Sequence, residues 1–107
     1  TGENRSQLIR VPAAAGEYRR AELRSPDPLC NPYLAFALLI EAGMEGIRER
    51  AELPPPADRN LFLAPPETLS GYQLLPGTLE EAAQAALHSG FVKNCLPEAV
   101  IESYCRR

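Results

Sequence analysis

The sequence is poor in the residues that most often build catalytic pairs and zinc sites. Its 107 residues include one histidine, His88, and three cysteines, Cys30, Cys95 and Cys105. The cysteines are odd in number and form no C-x-x-C pair, so ordinary thiols are expected and a zinc site is not. No Cys–His or Ser–His pair has the local arrangement of an activated nucleophile. His88 falls at a predicted helix end, where it would face the helix dipole.

Long apolar runs and basic tracts are also missing. The longest apolar run, Tyr33–Ile40, is far shorter than the roughly 20 residues that cross a bilayer as a helix. The net charge is −3 and the pI is about 5.2, which argues against nucleic acid or an anionic membrane as a partner. There is no Gly-rich phosphate loop and no G-x-S-x-G motif. The first residues, TGENRSQ, contain no apolar signal region, and we expect a cytoplasmic protein.

Proline is the abundant residue. The length is that of one domain, and the composition, 45% apolar and 23% charged, is ordinary for a globular protein. The 11 prolines are spread over the whole chain, which predicts short elements joined by stiff, extended connectors. We expect an α+β fold, with short antiparallel strands at about residues 7–25 and a helical region at about residues 31–107.

Two strands are predicted near the start of the chain. The apolar segment Leu8–Val11 stops at a proline, and Tyr18–Arg24 follows a small-residue loop, Ala13–Gly16. A short glycine-containing connection predicts a hairpin or near neighbours. In one register Arg10 points across at the second strand, but the sequence does not fix that register.

The remainder of the chain has helix signals. Asn31 is a preferred N-cap before a proline and predicts a helix through Tyr33–Arg50, whose apolar first half predicts deep burial on every side. Thr78, with a glutamate three residues later, predicts a helix to about His88. Ser89 is expected to cap a short turn over residues 91–95. A last helix is predicted with Pro97 at its first position and with Ile101, Tyr104 and Cys105 on one side.

A proline-rich loop lies between these helices. It carries the apolar residues Leu61, Phe62 and Leu63, which we expect to pack down as an anchor rather than to contact a ligand.

The segment Tyr18–Asp27, YRRAELRSPD, has an unusual pattern of charge. As a strand it carries Arg20, Glu22 and Arg24 on one face and small apolar residues on the other. The pattern alone favours a solvated face with cross-strand ion pairs, because charge on a strand face is usually solvent exposure. The alternative is a site in which a carboxylate binds a hard metal ion while arginines hold phosphate or carboxylate.

A series of longer motifs decides between these alternatives. In order they read NRS (4–6), IRVP (9–12), RRAELRSPDP (19–28), NPYLAF (31–36), NLF (60–62), PPE (65–67) and GTLEEA (77–82). Together they closely resemble the C-terminal part of the catalytic domain of the glutamine synthetase family, over essentially the whole chain. Since Thr1 is not a methionine, we expect the chain to be a piece of a longer protein.

The resemblance implies an ATP-dependent ligase. The family makes glutamine from glutamate, ammonia and ATP through a γ-glutamyl phosphate, with two divalent cations, Mg²⁺ or Mn²⁺, at each site. It assembles as homo-oligomeric rings with active sites between subunits. The piece alone is expected to be inactive, because the resemblance implies that the other metal ligands, including the family's metal histidine, lie upstream.

The resemblance also assigns roles to individual residues. It implies a catalytic Arg5 that contacts glutamate and the transferred phosphate, and an Arg24 that holds the glutamate carboxylate. It implies ATP contacts by Arg10 and Arg20 and a metal ligand in Glu22. His88 does not match the family's metal histidine.

Three departures from the family pattern stand out. Glu17 falls where the family often has a lysine near the nucleotide, and the loop Ala13–Gly16 is one residue shorter. Phe62 replaces a tyrosine that is adenylylated in some bacterial members, which excludes that modification here. Two other functions stay open: a related ligase that joins glutamate to another amine, and a non-catalytic oligomerisation module.

Overall fold

A computed structural model describes residues 4–106 of the chain. They form two compact units. The first contains residues 4–29 together with Glu52–Gln73, and the second contains Cys30–Ala51 together with residues 74–106. The first unit holds both strands and a short helix, and the second holds the four longer helices. The α+β class that the sequence predicts is confirmed.

A two-stranded antiparallel ladder forms the centre of the first unit. Strand β1 is Ile9–Arg10 and strand β2 is Glu22–Leu23, with Arg10 opposite Glu22 and Ile9 opposite Leu23. One further backbone bond, from Arg24 N to the carbonyl of Leu8 at 2.9 Å, extends the pairing. The register that brings Arg10 to the charged face is therefore the one the chain adopts.

Both strands are shorter than predicted. Tyr18, the first residue of the predicted second strand, is instead the last residue of a 3₁₀ helix, Gly16–Tyr18, which Gly16 enters with a φ of 60°. Glycine adopts this left-handed conformation without the steric cost that a Cβ brings. Extended residues count as strand only where a neighbour pairs with them, and the described residues supply one neighbour for each strand.

Helix α1, Pro32–Glu49, begins and ends as its terminal residues predict. Asn31 Oδ1 accepts hydrogen bonds from the backbone N–H groups of Tyr33 at 2.9 Å and Leu34 at 3.3 Å. Those N–H groups have no partner inside the helix, so the cap satisfies them. At the other end Arg50 takes a left-handed conformation with a φ of 50°, a common way to finish a helix.

The remaining helices are α2 (Pro66–Leu69), α3 (Leu79–His88), α4 (Gly90–Cys95) and α5 (Glu98–Cys105). Thr78 Oγ1 accepts from the N–H of Glu81 at 3.1 Å, and the Glu81 carboxylate accepts from Gly77 N at 2.8 Å. Ser89 caps α4 as predicted, although α4 is a helix rather than a turn. Pro97 is the N-cap of α5, not its first residue as the sequence suggested.

The core of the second unit is small. Ile101 on α5 is 5% exposed and is the one buried hydrophobic side chain among residues 4–106. It borders an apolar cavity of about 110 Å³ between α1, α4 and α5, whose other walls include Leu34, Leu38, Val92, Leu96, Tyr104 and Cys105. Ile101, Tyr104 and Cys105 thus share one side of the last helix, as predicted.

The deep burial predicted for the first half of α1 is wrong for this chain. Tyr33, Phe36 and Ile40 are 84%, 63% and 63% exposed, and Met44 and Ile47 continue the same apolar stripe. Steps of three, four, four and three residues keep these five side chains on one helix face. The opposite face packs on α4 and, through Leu34 and Leu38, lines the cavity that α5 also borders. The described residues of this unit offer no element to cover the stripe.

The predicted anchor in the proline-rich loop is also wrong for two of its three residues. Phe62 and Leu63 are 78% and 83% exposed, whereas Leu61 is half-buried. The loop is held by polar bonds to its backbone instead, which leave these side chains pointing to solvent. No helix in the described part of the chain is long and apolar enough to cross a membrane.

Candidate functional site

The charged face of the ladder forms a three-residue cluster centred on Glu22. Arg10 donates from Nε to Glu22 Oε2 at 2.8 Å, and its Nη2 lies 2.7 Å from the same oxygen. Arg20 approaches the other oxygen, Oε1, with Nη2 at 2.9 Å and Nε at 3.3 Å. Each carboxylate oxygen is thus held by the fork of one guanidinium, a strong and directional form of charge-assisted bonding.

The two arginines differ in how much solvent they meet. The Arg10 side chain is 15% exposed and that of Arg20 is 54% exposed, with Glu22 between them at 29%. Arg10 is fixed by the strand opposite Glu22, whereas Arg20 precedes β2 by two residues. The Arg10–Glu22 pair is the less exposed of the two, so salt screens it less than the Arg20–Glu22 pair.

The two guanidinium groups keep Glu22 ionised. The Arg10 hydrogen bond lowers the pKa of the Glu22 carboxyl below its usual value, partial burial opposes this, and Arg20 lowers the pKa further. Two cations and one anion leave the cluster with an excess of positive charge. Such a cluster suits an anion like phosphate or carboxylate, and its ionised Glu22 can also serve a hard cation.

Arg24 and Arg5 lie outside this cluster. Arg24 follows β2 and is exposed, and two-residue spacing along an extended chain places it on the Glu22 side. Arg5 is exposed and precedes β1. Within residues 4–106 neither guanidinium makes a hydrogen bond or ion pair in this structure. The structure therefore joins three of the five predicted site residues directly.

The sequence interpretation missed a polar network on either side of Arg5. Asn4 Nδ2 donates to the carbonyls of Ala57 at 2.7 Å and Arg59 at 2.9 Å. Ser6 Oγ accepts from the N–H of Leu61 at 2.8 Å. The signal in the sequence was the polar triplet NRS, whose flanking side chains are both able to bond to backbone.

Glu22 can supply one ligand of several to a divalent metal once a guanidinium leaves one of its oxygens. A carboxylate oxygen has two lone-pair directions, and in this structure two nitrogens of one guanidinium approach each Glu22 oxygen. Arg10 or Arg20 therefore has to move aside before a cation can coordinate. Mg²⁺ and Mn²⁺ prefer oxygen ligands. The described residues contain no group of three or more acidic, histidine or cysteine side chains that could enclose a metal. Further ligands would have to come from outside residues 4–106.

His88 and Cys95 are the other potential base and nucleophile considered in the described chain, and the contacts of each suit a structural role. His88 Nδ1 lies 2.8 Å from the carbonyl of Gln84 at the end of α3, as its helix-end position suggested. Partial burial raises the pKa of the Cys95 thiol, and the nearby carboxylates of Glu41 and Glu45 raise it further. A thiol with a raised pKa is a poor nucleophile at neutral pH.

Comparison with known proteins identifies the family. The family model described as "Glutamine synthetase, catalytic domain" matches residues 1–107, the whole chain. The chain belongs to the glutamine synthetase catalytic-domain family. This confirms the resemblance carried by the ordered motifs.

Individual relatives agree with the family match. A glutamine synthetase of Methanosarcina mazei is 46% identical over 106 residues, which are 97% of this chain and 24% of the relative. One from Methanocaldococcus jannaschii is 39% identical over 104 residues, 95% of this chain and 23% of the relative. One from Thermus thermophilus is 42% identical over 102 residues, which are 94% of this chain and 23% of the relative. The chain thus spans about a quarter of the length of these relatives.

The geometry of the Glu22 cluster predicts which arginine has the larger effect on the pKa of Glu22. Glu22 should titrate below its usual pKa of 4.5, and Arg10→Ala should raise that pKa more than Arg20→Ala, because the Arg10 bond is the larger cause. Carbon-13 NMR of the labelled Glu22 carboxyl measures both changes.

The sign of the pH effect follows from the lowered pKa. The stabilisation that Glu22 supplies is present above its unfolded pKa and is lost as the pH falls through the lowered folded value. If Arg20→Ala moved the Glu22 titration more than Arg10→Ala, the assignment of Arg10 as the principal partner would be wrong.

Proposed function

We propose that this chain is the C-terminal portion of a glutamine synthetase catalytic domain. It acts within a longer ATP-dependent ligase that joins ammonia to glutamate. The match of the family model to the whole chain supports this. So does the alignment of the chain with about a quarter of the length of relatives named glutamine synthetase. The structural observation that carries the proposal is Glu22, kept ionised between Arg10 and Arg20.

The arginines supply charge for phosphoryl transfer. Making a γ-glutamyl phosphate brings ATP phosphates and a glutamate carboxylate close together, and such transfer depends mainly on positioning and charge neutralisation. Arg10 and Arg20 are proposed to contact ATP phosphates, and Arg24 the glutamate carboxylate. Arg5 is the proposed catalytic arginine, contacting both glutamate and the transferred phosphate. Guanidinium groups suit these partners because their forked N–H donors match pairs of oxygens.

Glu22 is the proposed metal ligand. Bound Mg²⁺ or Mn²⁺ would neutralise charge on the phosphates. In this structure the same carboxylate orients Arg10 and Arg20 through its two oxygens, and one of these contacts would open when Glu22 binds the metal. In the longer ligase, the remaining ligands of two such cations are proposed to come from other parts of the protein.

The proposed setting follows the family. We infer a cytoplasmic enzyme of nitrogen metabolism that forms a ring of identical subunits and takes ammonia as its amine. A ligase for another amine is the closest alternative, since the residues that select the amine are expected outside this chain. Phe62 is exposed but has no hydroxyl, so nucleotidyl transfer to an oxygen at this side chain is chemically impossible.

Removing the charge of Glu22 should cost most of the activity. In the longer ligase, Glu22→Gln keeps the size of the side chain but weakens metal coordination, and glutamine formation at ordinary Mg²⁺ should fall on the order of 100-fold. Raised Mg²⁺ should restore part of the rate. Steady-state assay of glutamine formation against Mg²⁺ concentration measures both effects.

Two controls accompany this assay. Glu41→Gln removes another glutamate that pairs with an arginine and should leave the rate within about twofold, as a surface pair contributes little. The isolated chain should show no γ-glutamyl transfer, since a single carboxylate cannot hold a catalytic metal pair. Full activity of Glu22→Gln at ordinary Mg²⁺ would contradict the metal role.

A second candidate function is assembly. The exposed stripe of α1, defined by Tyr33, Phe36, Ile40, Met44 and Ile47, is the observation that favours it. An uncovered apolar helix face of this length is typical of a surface that contacts another protein segment. This role is compatible with the ligase proposal, because the family's rings place active sites between subunits.

The stripe predicts self-association of the isolated chain. Sedimentation equilibrium should give a mass above that of the monomer, and Phe36→Glu with Ile40→Glu should move it toward the monomer by placing charge in the contact. Leu53→Glu, at a residue that is 90% exposed outside the stripe, should leave the mass unchanged. A clean monomer at high concentration would argue against a self-sufficient assembly module.

A further inference from the structure

Arg5 is held between two side chains that bond to a distant loop. Asn4 and Ser6 precede and follow it, and both reach the segment 57–61, which lies more than 50 residues away in the sequence. The Arg5 side chain itself takes no part in these bonds and is exposed. The bonds therefore fix the backbone from which Arg5 projects, while its guanidinium faces solvent.

The Asn4 amide is fully used. Its two donors go to the carbonyls of Ala57 at 2.7 Å and Arg59 at 2.9 Å. Its Oδ1 accepts from Ser6 N at 3.0 Å and from Ser6 Oγ at 2.7 Å. An amide carries two N–H donors and one oxygen with two lone pairs, so all four capacities are satisfied. Such a closed arrangement defines one position for the triplet rather than a range of positions.

Ser6 completes the network from the other side. Its Oγ accepts from the N–H of Leu61 at 2.8 Å and donates to Asn4 Oδ1 at 2.7 Å, with the Arg59 carbonyl as a longer alternative acceptor at 3.4 Å. Asn4 and Ser6 thus bond to each other as well as to the loop. Removing either side chain therefore breaks bonds on both sides of Arg5.

We propose that Asn4 and Ser6 are positioning residues for Arg5 and that the segment 57–61 is their platform. The proposal rests on the catalytic role proposed for Arg5. A long arginine side chain loses conformational freedom when it is ordered, and a backbone that is not already fixed adds to that loss. The network restricts the backbone of Arg5 before substrate binds, so this part of the entropic cost is not added on binding. Small displacements of a group that contacts the reacting atoms are costly, of the order of 100-fold for about 1 Å.

The test is a set of double-mutant cycles in the longer ligase. Ser6→Ala removes one hydroxyl and Asn4→Ala removes the amide, and each should lower kcat/KM for glutamate about 10- to 100-fold. In an Arg5→Ala background the same changes should cost no more than about twofold, because a positioning residue acts only through the group it positions. A purely structural role would give the same loss in both backgrounds.

Matched controls separate the network from its surroundings. Ser70→Ala removes a hydroxyl that donates to the Glu67 carbonyl, outside the segment 57–61. This variant should retain activity. Ser6→Thr keeps the hydroxyl and should restore most of the rate lost in Ser6→Ala. If Asn4→Ala fails to fold, the Ser6 series decides the question alone.

The outcomes distinguish the two proposals. If Arg5→Ala leaves glutamine formation intact, the catalytic role of Arg5 and the positioning role built on it both fail. If Arg5→Ala is strongly impaired while Ser6→Ala and Asn4→Ala are fully active, the positioning role alone fails. Equal losses in the two backgrounds also overturn it. Non-additive losses with rescue by Ser6→Thr support it.

Discussion

The bond between Arg10 and Glu22 connects the fold of the first unit to its chemistry. The strands are two residues long, and their register sets Arg10 opposite Glu22. A shift by one residue would turn one of these side chains to the other face of the ladder. The ion pair and the register therefore support each other. The remaining partner, Arg20, lies in the segment just before β2 and donates a hydrogen bond to the second carboxylate oxygen of Glu22.

The second unit is governed by a different constraint. A chain of this length can bury about two thirds of its unfolded surface, yet among residues 4–106 Ile101 is the only buried hydrophobic side chain. The apolar stripe of α1 is the largest consequence. An exposed face of this kind fits a segment whose other contacts are made elsewhere in a longer protein, as the proposed function requires. The apolar face of this unit points to a partner outside the described residues.

The sequence predicted local structure well where one side chain determines it. Asn31, Thr78 and Ser89 cap helices as their types and spacing indicate, because a cap depends on a few neighbouring backbone groups. Strand length and burial were predicted poorly. They depend on which elements lie alongside, and neither the alternation around Glu22 nor the apolar run of α1 contains that information.

The sequence likewise indicated the part of the candidate site that depends on neighbouring residues and not the part that depends on distant ones. Charge alternation indicated that Arg20 and Glu22 share a face, and the structure adds Arg10 through the register. The pattern alone favoured a solvated ion pair, and an ion pair is what the geometry contains. Only the ordered family motifs gave it a functional meaning. The network of Asn4 and Ser6 was not predicted, because it depends on a loop more than 50 residues distant in the sequence.

The most direct test of the proposed role of Glu22 is metal binding by the longer ligase. Titration with Mn²⁺, followed by electron paramagnetic resonance of the free ion, counts the sites and gives their affinities without any turnover. Two sites are expected in the unaltered ligase, and Glu22→Gln should weaken one of them on the order of 10- to 100-fold while leaving the other. Two sites of unchanged affinity in Glu22→Gln would contradict the assignment of Glu22 as a metal ligand.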